Sequence, residues 1–162
     1  MIQRIQSIFL LAIVLLMGLT LYFPIWEKQI SEKEKTTITA FHQISYISKP
    51  DQQEIHPVKK NNIYIAILVS LIGVVAAISL FSYKKRMRQL LLGAINGLIL
   101  LVTLGITVYL CFQTDRSIPV SKDPGKYQIG LFLITIAIIL NIAANRFIRR
   151  DDQLVKSADR MR

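Results

Sequence analysis

No Asp, Glu, Lys, Arg or His occurs in residues 8–26, 63–81, 90–112 or 129–145 of this 162-residue chain. Ionisable groups inside a bilayer cost ~2.5–3.5 kcal/mol each on insertion scales, and where they occur they mark proton relays and ion paths. Their absence argues against a proton-coupled transporter or pump, and against haem held by histidine within the hydrocarbon. Cysteine is nearly absent as well. Cys111 stands alone, which excludes an intramolecular disulfide, a zinc ribbon and a paired-thiol redox site. The two histidines, His42 and His56, share one polar segment that has no thiol or acidic cluster, so they read as ordinary loop residues rather than metal ligands. No Gly-x-x-x-x-Gly-Lys-Ser/Thr loop is present to cradle phosphates, which excludes a helicase-like motor. No nucleophile–base pair stands out either. Asp151 and Asp152 are adjacent, so on a helix they point apart, and they sit beside arginines. The expectation is a protein that is not an enzyme, with no catalytic residues, no metal and no cofactor.

What the chain does have is apolar length. Hydrophobic residues make up 52% of it and charged residues 19%, for a mean hydropathy of +0.44. Runs of about 18 or more apolar residues match a hydrocarbon thickness of ~30 Å at 1.5 Å per residue. The chain therefore reads as all-α, a four-helix transmembrane bundle in a single integral membrane domain over residues 1–162, with spans at about 8–26, 63–81, 90–112 and 129–148. The first run ends in Tyr22, Phe23, Pro24 and Trp26, rings that favour the headgroup level. It is too long for the apolar core of a signal peptide and no small-x-small cleavage pattern follows, so it is expected to stay as a span.

The connections are unequal. Residues 27–62 form a long polar segment whose start alternates acids and bases. Its middle, 36–47, is rich in Thr, Ile, Phe and Tyr and suits a strand or hairpin, and Pro50 and Pro57 then interrupt any regular element. A small β-structured cap over the helix ends is the favoured reading, a loose loop the alternative. Residues 113–128 make a second loop, with Pro119 and the turn signal Asp123-Pro124-Gly125. Between the second and third runs lies a tight basic turn, 82–89, holding Lys84, Lys85, Arg86 and Arg88 with no acid.

Basic residues set the orientation. Residues 1–7, 82–89 and 146–162 together hold 11 Lys/Arg and three acids in 32 residues; the two other connections hold nine and seven in 52. Lys and Arg collect on the cytosolic side, so both termini and the basic turn are expected there. Lys59 and Lys60, just before the second span, are outnumbered. The net charge of +10 is then explained by orientation and by attraction to anionic lipid headgroups rather than by nucleic acid. The candidate contacts for lipid, or for a membrane or cytosolic protein partner, are Arg4, Lys84, Lys85, Arg86, Arg88, Arg146, Arg149 and Arg150.

Within the runs the polar and small residues look like packing devices. Gly93 and Gly97 form a Gly-x-x-x-Gly step, extended by Gly105, and Ala66, Ser70, Gly73 and Ala77 make a small-residue stripe on the second run. The step could join helices within the chain or two copies in a homo-oligomer. Asn96 lies ~9 Å inward from Leu90, and Asn141 ~10 Å from Ile148, at 1.5 Å per residue. The two should share a depth, either as an interhelical polar pair or as part of a polar path opening inward. After Arg150, Leu154, Val155, Ala158 and Met161 recur at helical spacing, and Asp152 and Lys156 form an i,i+4 pair. That suits a short amphipathic helix on the inner headgroups, or a plain extension of the fourth span.

The opening Met-Ile-Gln-Arg-Ile-Gln-Ser-Ile-Phe-Leu-Leu and the closing Asn-Arg-Phe-Ile-Arg-Arg-Asp-Asp-Gln-Leu-Val-Lys-Ser-Ala-Asp-Arg-Met-Arg resemble the two ends of a bacterial family of small four-span membrane proteins catalogued only as a domain of unknown function. The middle of the chain matches that family mainly by hydropathy. The resemblance implies a bacterial inner-membrane location and brings no catalytic or binding residues with it. The expected function is that of a non-catalytic accessory or interaction protein with a basic cytosolic face. The alternative is a small oligomeric channel or carrier.

Overall fold

The computed structural model describes residues 2–31, 34–47, 56–82, 86–117 and 125–160. Four helices, α1 (Ile2–Tyr22), α2 (Ile63–Phe81), α3 (Arg86–Ser117) and α4 (Ile129–Arg160), carry most of these residues. The long connection between α1 and α2 holds four strands, β1 (Trp26–Ser31), β2 (Glu34–Ile38), β3 (His42–Ile47) and β4 (His56–Asn61), and a fifth, β5 (Lys126–Tyr127), precedes α4. The fold is therefore mostly helical with a small antiparallel sheet, in keeping with the expected helices and the small β element in the long connection, which β5 extends beyond that connection. Lys84, Lys85, Pro50, Pro119, Asp123, Pro124 and Met161 lie outside the described residues.

Helix boundaries follow local chemistry. α1 stops at Tyr22 because Pro24 disfavours helical backbone at Phe23. The first apolar run thus ends earlier than its composition suggests, and Trp26 enters β1 instead of closing the helix. α2 keeps the expected bounds. α4 runs unbroken past Ile148 to Arg160, so the tail is an extension of the fourth helix and not a separate one. The stretches Ile63–Phe81, Met87–Ser117 and Ile129–Leu154 are long and apolar enough to cross a membrane, whereas the apolar part of α1 among the described residues is Gln6–Tyr22.

The sheet runs β4-β3-β2-β1-β5. β2 and β3 form a hairpin with Thr37 opposite Ile44 and Ile38 opposite Gln43. Its corner is held by Thr39, whose hydroxyl donates to the His42 carbonyl (2.8 Å) and accepts from the His42 N–H (3.2 Å). Pro57, expected to interrupt regular structure, sits inside β4 opposite Tyr46. An edge strand tolerates this because one of its two sides needs no donors, and the exposed Lys59 and Lys60 discourage further pairing. Each edge strand leads into a helix, β4 into α2 and β5 into α4, and β5 pairs with β1 through Trp26–Tyr127 and Glu27–Lys126.

The sheet caps two helices. The Ala66 N–H donates to the Ala40 carbonyl (3.2 Å), and the Gly130 N–H to the Pro24 carbonyl (2.9 Å). These are first-turn donors with no partner inside their own helix, and at the edge of an apolar layer they must be satisfied locally. A Cβ at Gly130 would meet the Pro24 carbonyl at 2.7 Å, so only glycine allows that approach. Buried Lys28 ties β1 to the end of α3, its Nζ 2.8 Å from Asp115 Oδ1, while Lys35 pairs with Glu27 within the sheet.

Each helix packs on two others: α1 on α2 and α4, and α3 on α2 and α4. Their inward faces bury Leu10, Ile13, Met17, Ile65, Val69, Ile72, Ala76, Leu100, Ile134 and Ala144. Their outward faces are apolar as well, including Ile8, Leu11, Leu15 and Leu19 on α1 and Ile136, Ile139 and Ile142 on α4. Helices apolar on every side suit a membrane protein, since water would leave so many exposed aliphatic residues unfavourably solvated.

Candidate functional site

The end of the molecule away from the sheet gathers the exposed Arg88, Arg146, Arg149 and Arg150 and several buried amides. Three contacts set the directions. Gly93 and Gly97 on α3 meet Asn145 and Asn141 on α4, in reverse order along the two helices. Phe9 on α1 stacks on Phe147 on α4, with centroids 5.6 Å apart. Gly130 at the start of α4 lies against Phe23 and Pro24 at the end of α1. α4 is therefore antiparallel to both α1 and α3. At 1.5 Å per residue, Arg88 and Arg150 each lie ~7.5 Å beyond the Gly93–Asn145 contact, and so at one depth.

The arginines on α4 are spaced to share a face. Arg146, Arg149 and Arg150 are i, i+3 and i+4, all exposed, as is Arg88 on α3. Arg4 and Arg86 belong to the same end through the backbone of α1 and α3. Among the described residues, Arg88, Arg146, Arg149 and Arg150 form no ion pair. Asp151 turns inward with 9% of its surface exposed. It and half-buried Asp152 both have interactions of their own.

Buried polar side chains lie toward this end on every helix, from the level of the arginines inward: Gln6 on α1, Ser79 on α2, Gln89 and Asn96 on α3, and Asn141 on α4. Asn141 donates from Nδ2 to the Gly93 carbonyl at 3.0 Å. This is an interhelical bond, but its acceptor is backbone and not the Asn96 amide. Asn96 is 1% exposed, and neither of its amide atoms has a hydrogen-bond partner among the described residues; the same holds for both amide atoms of Gln89, for Gln6 Oε1 and for Ser79 Oγ. Further along α3, Thr103 and Thr107 are buried but bond back to the carbonyls of Ile99 and Thr103 (2.8 and 2.7 Å). Their hydroxyls need nothing from neighbouring helices.

The glycine step is used within the chain. A Cβ at Gly97 would come 2.8 Å from Asn141 Nδ2, and one at Gly93 would overlap the Asn145 side chain. Gly105, expected to extend the step, is exposed and a Cβ there would meet nothing, so it lies off the packed face. The stripe expected on α2 is likewise only partial: Ala66 is buried and Gly73 faces Met17, but Ser70 is exposed and the packed face runs through Ile65, Val69, Ile72, Ala76 and Ser79.

Reading the sequence for span-interior polar residues found Asn96 and Asn141 but missed Gln6, Gln89 and Asn145. The signal was available, since Gln89 is seven residues before Asn96 and Asn145 is four after Asn141, spacings that return to the same helix face. Comparison with curated proteins finds no match for the chain. The family model described as Domain of unknown function (DUF4293) matches residues 2–161, nearly the whole length, and the chain belongs to that family.

Proposed function

We propose that all four helices cross the bacterial inner membrane, with both termini and the arginine-rich end in the cytosol and the sheet on the outer side. On this reading the protein is a non-catalytic accessory or interaction protein whose basic cytosolic face engages a partner protein or anionic lipid. The observation that carries it is the pairing of two surfaces: apolar outward faces on every helix, α1 included, and four exposed arginines, Arg88, Arg146, Arg149 and Arg150, gathered at one end of α3 and α4 against, among the described residues, the single exposed Arg116 near the sheet. Cysteine labelling tests the orientation. Cys111 is buried and unsuited as a reporter, so it is replaced by serine. Lys60→Cys should then react with a membrane-impermeant thiol reagent on intact cells, and Gln153→Cys only after permeabilisation. The reverse pattern would overturn the topology. For the accessory role, crosslinking in native membranes should recover one dominant protein, lost when residues 152–162 are deleted. Recovery of random neighbours alone would count against it.

A second reading, a small oligomeric channel or carrier, is favoured by one observation. Buried polar groups are nearly always hydrogen-bonded, and the Asn96 and Gln89 amides have no protein partner among the described residues. A passing polar solute or a water file would satisfy them. Purified protein in liposomes should then show a flux that Asn96→Leu abolishes.

A further inference from the structure

Two grooves run side by side along α4 and share Ile142, Arg146 and Arg150. One, of about 460 Å³, is walled in addition by Ile139, Ala143 and Phe147. The other, of about 700 Å³, adds Asn145, Arg149 and Gln153. The first is therefore apolar over most of its length and ends in cations, and the second is polar and cationic. Ile139 and Ile142 are 61% and 63% exposed, while Phe147 is held in place by its stack on Phe9. From Ile139 to Arg150 the site extends ~16 Å along the helix axis, at 1.5 Å per residue.

We infer that α4 carries a binding site for an acidic glycerophospholipid. The phosphate sits between Arg146 and Arg150, the headgroup occupies the polar groove beside Arg149 and Gln153, and an acyl chain lies along Ile139, Ala143 and Phe147. The inference rests on the transmembrane placement of α4 proposed above and makes the ligand of its basic face specific. Guanidinium groups recognise phosphate oxygens through two parallel N–H donors, which a diffuse surface attraction does not require. Three arginines within five residues disfavour a choline headgroup, whose cation would lie among them. A free phosphate would leave the apolar groove unused, and a soluble acidic peptide would not reach Ile139, which lies on the intramembrane side of the arginines.

The test uses the full chain reconstituted into vesicles of equal parts phosphatidylglycerol and phosphatidylcholine, then extracted into mild detergent for native mass spectrometry. Phosphatidylglycerol should be retained over phosphatidylcholine by about tenfold or more. Arg146→Gln with Arg150→Gln should remove most of that preference, since each basic residue near an anionic lipid surface contributes about a factor of five. Lys59→Gln with Lys60→Gln removes the same charge from the sheet edge and should change nothing. Equal retention of the two lipids by the wild-type chain would overturn the inference without needing any variant. Equal losses from the two double variants would also overturn it, by showing non-specific charge. So would displacement of the retained lipid by millimolar inorganic phosphate. Carbonate washing of the same vesicles separates this from the topology: protein that stays in the vesicles yet shows no lipid preference refutes the site alone, whereas protein that washes off refutes the transmembrane reading as well.

Discussion

Gly93→Ala should be among the most costly small substitutions in the helices, because one methyl has nowhere to go. A Cβ at this position overlaps the Asn145 side chain, whose Cγ would lie at 2.8 Å and whose Nδ2 at 3.1 Å. Overpacking of this kind costs about 1–3 kcal/mol. Replacing a helix-interior glycine by alanine returns about 1 kcal/mol, so the net loss should lie between about 0 and 2 kcal/mol. Any widening of the α3–α4 gap would also stretch the Asn141–Gly93 bond, and interhelical bonds in membranes average about 0.6 kcal/mol. Equilibrium unfolding in mixed micelles, followed by circular dichroism, reads the difference. The decisive comparison is a double-mutant cycle. With Asn145→Ala in place, the added methyl fills the space the amide leaves, and Gly93→Ala should become neutral or mildly stabilising. Gly105→Ala on the same helix, where a Cβ meets nothing, should be neutral or stabilising in either background. The same effect of Gly93→Ala with and without the Asn145 side chain would refute the packing argument.

Three further outcomes are expected. Leu15→Asp, on the outward face of α1, should block stable insertion and release the chain on carbonate extraction, at ~2.5–3.5 kcal/mol for a charge near a helix centre; normal insertion would mean that α1 lies outside the hydrocarbon. Asp115→Ala should destabilise the sheet end by about 1–3 kcal/mol, because it removes the carboxylate acceptor, one of the partners of a buried lysine, and Lys28→Met with Asp115→Leu should recover part of that loss in the same unfolding assay. Gly130→Val should loosen the start of α4, seen as faster amide exchange at residues 130–132, because the side chain would collide with the Pro24 carbonyl.

The helices were legible in the sequence because long uncharged runs have few other uses, and the bounds of α2 could be read directly. The sheet was legible only in part. The Thr-, Ile- and Tyr-rich stretch announced a hairpin, but β1 has a mostly polar sequence, Trp-Glu-Lys-Gln-Ile-Ser, and β4 contains a proline that sheet position, not local composition, makes tolerable. β5 has two residues and no signal of its own; it exists because β1 offers it an edge. The end of α1 was misplaced since Trp26 looks like an interfacial anchor when only its neighbours in sequence are considered. In the fold it is a core residue covered by Gly125. At the polar end, the arginines and two of the asparagines stood out by contrast with their surroundings. The set of buried polar side chains spread over all four helices did not, because membership depends on which helices are neighbours.

Strand order also imposes a sequence of assembly. β1 to β4 lie within residues 26–61 and can pair as soon as that segment emerges, before α2 has been made. β5 comes only after α3, so the pairing of Trp26 with Tyr127 and the seating of Gly130 on Pro24 must wait for more than three-quarters of the chain. Trp26 is the sole tryptophan, and the residue that covers its ring, Gly125, arrives with that last strand. Its fluorescence therefore works as a built-in clock for biogenesis. A chain truncated before residue 118 should hold the indole in a wetter setting with red-shifted emission, and the blue shift on completing the chain would time the closing of the sheet end.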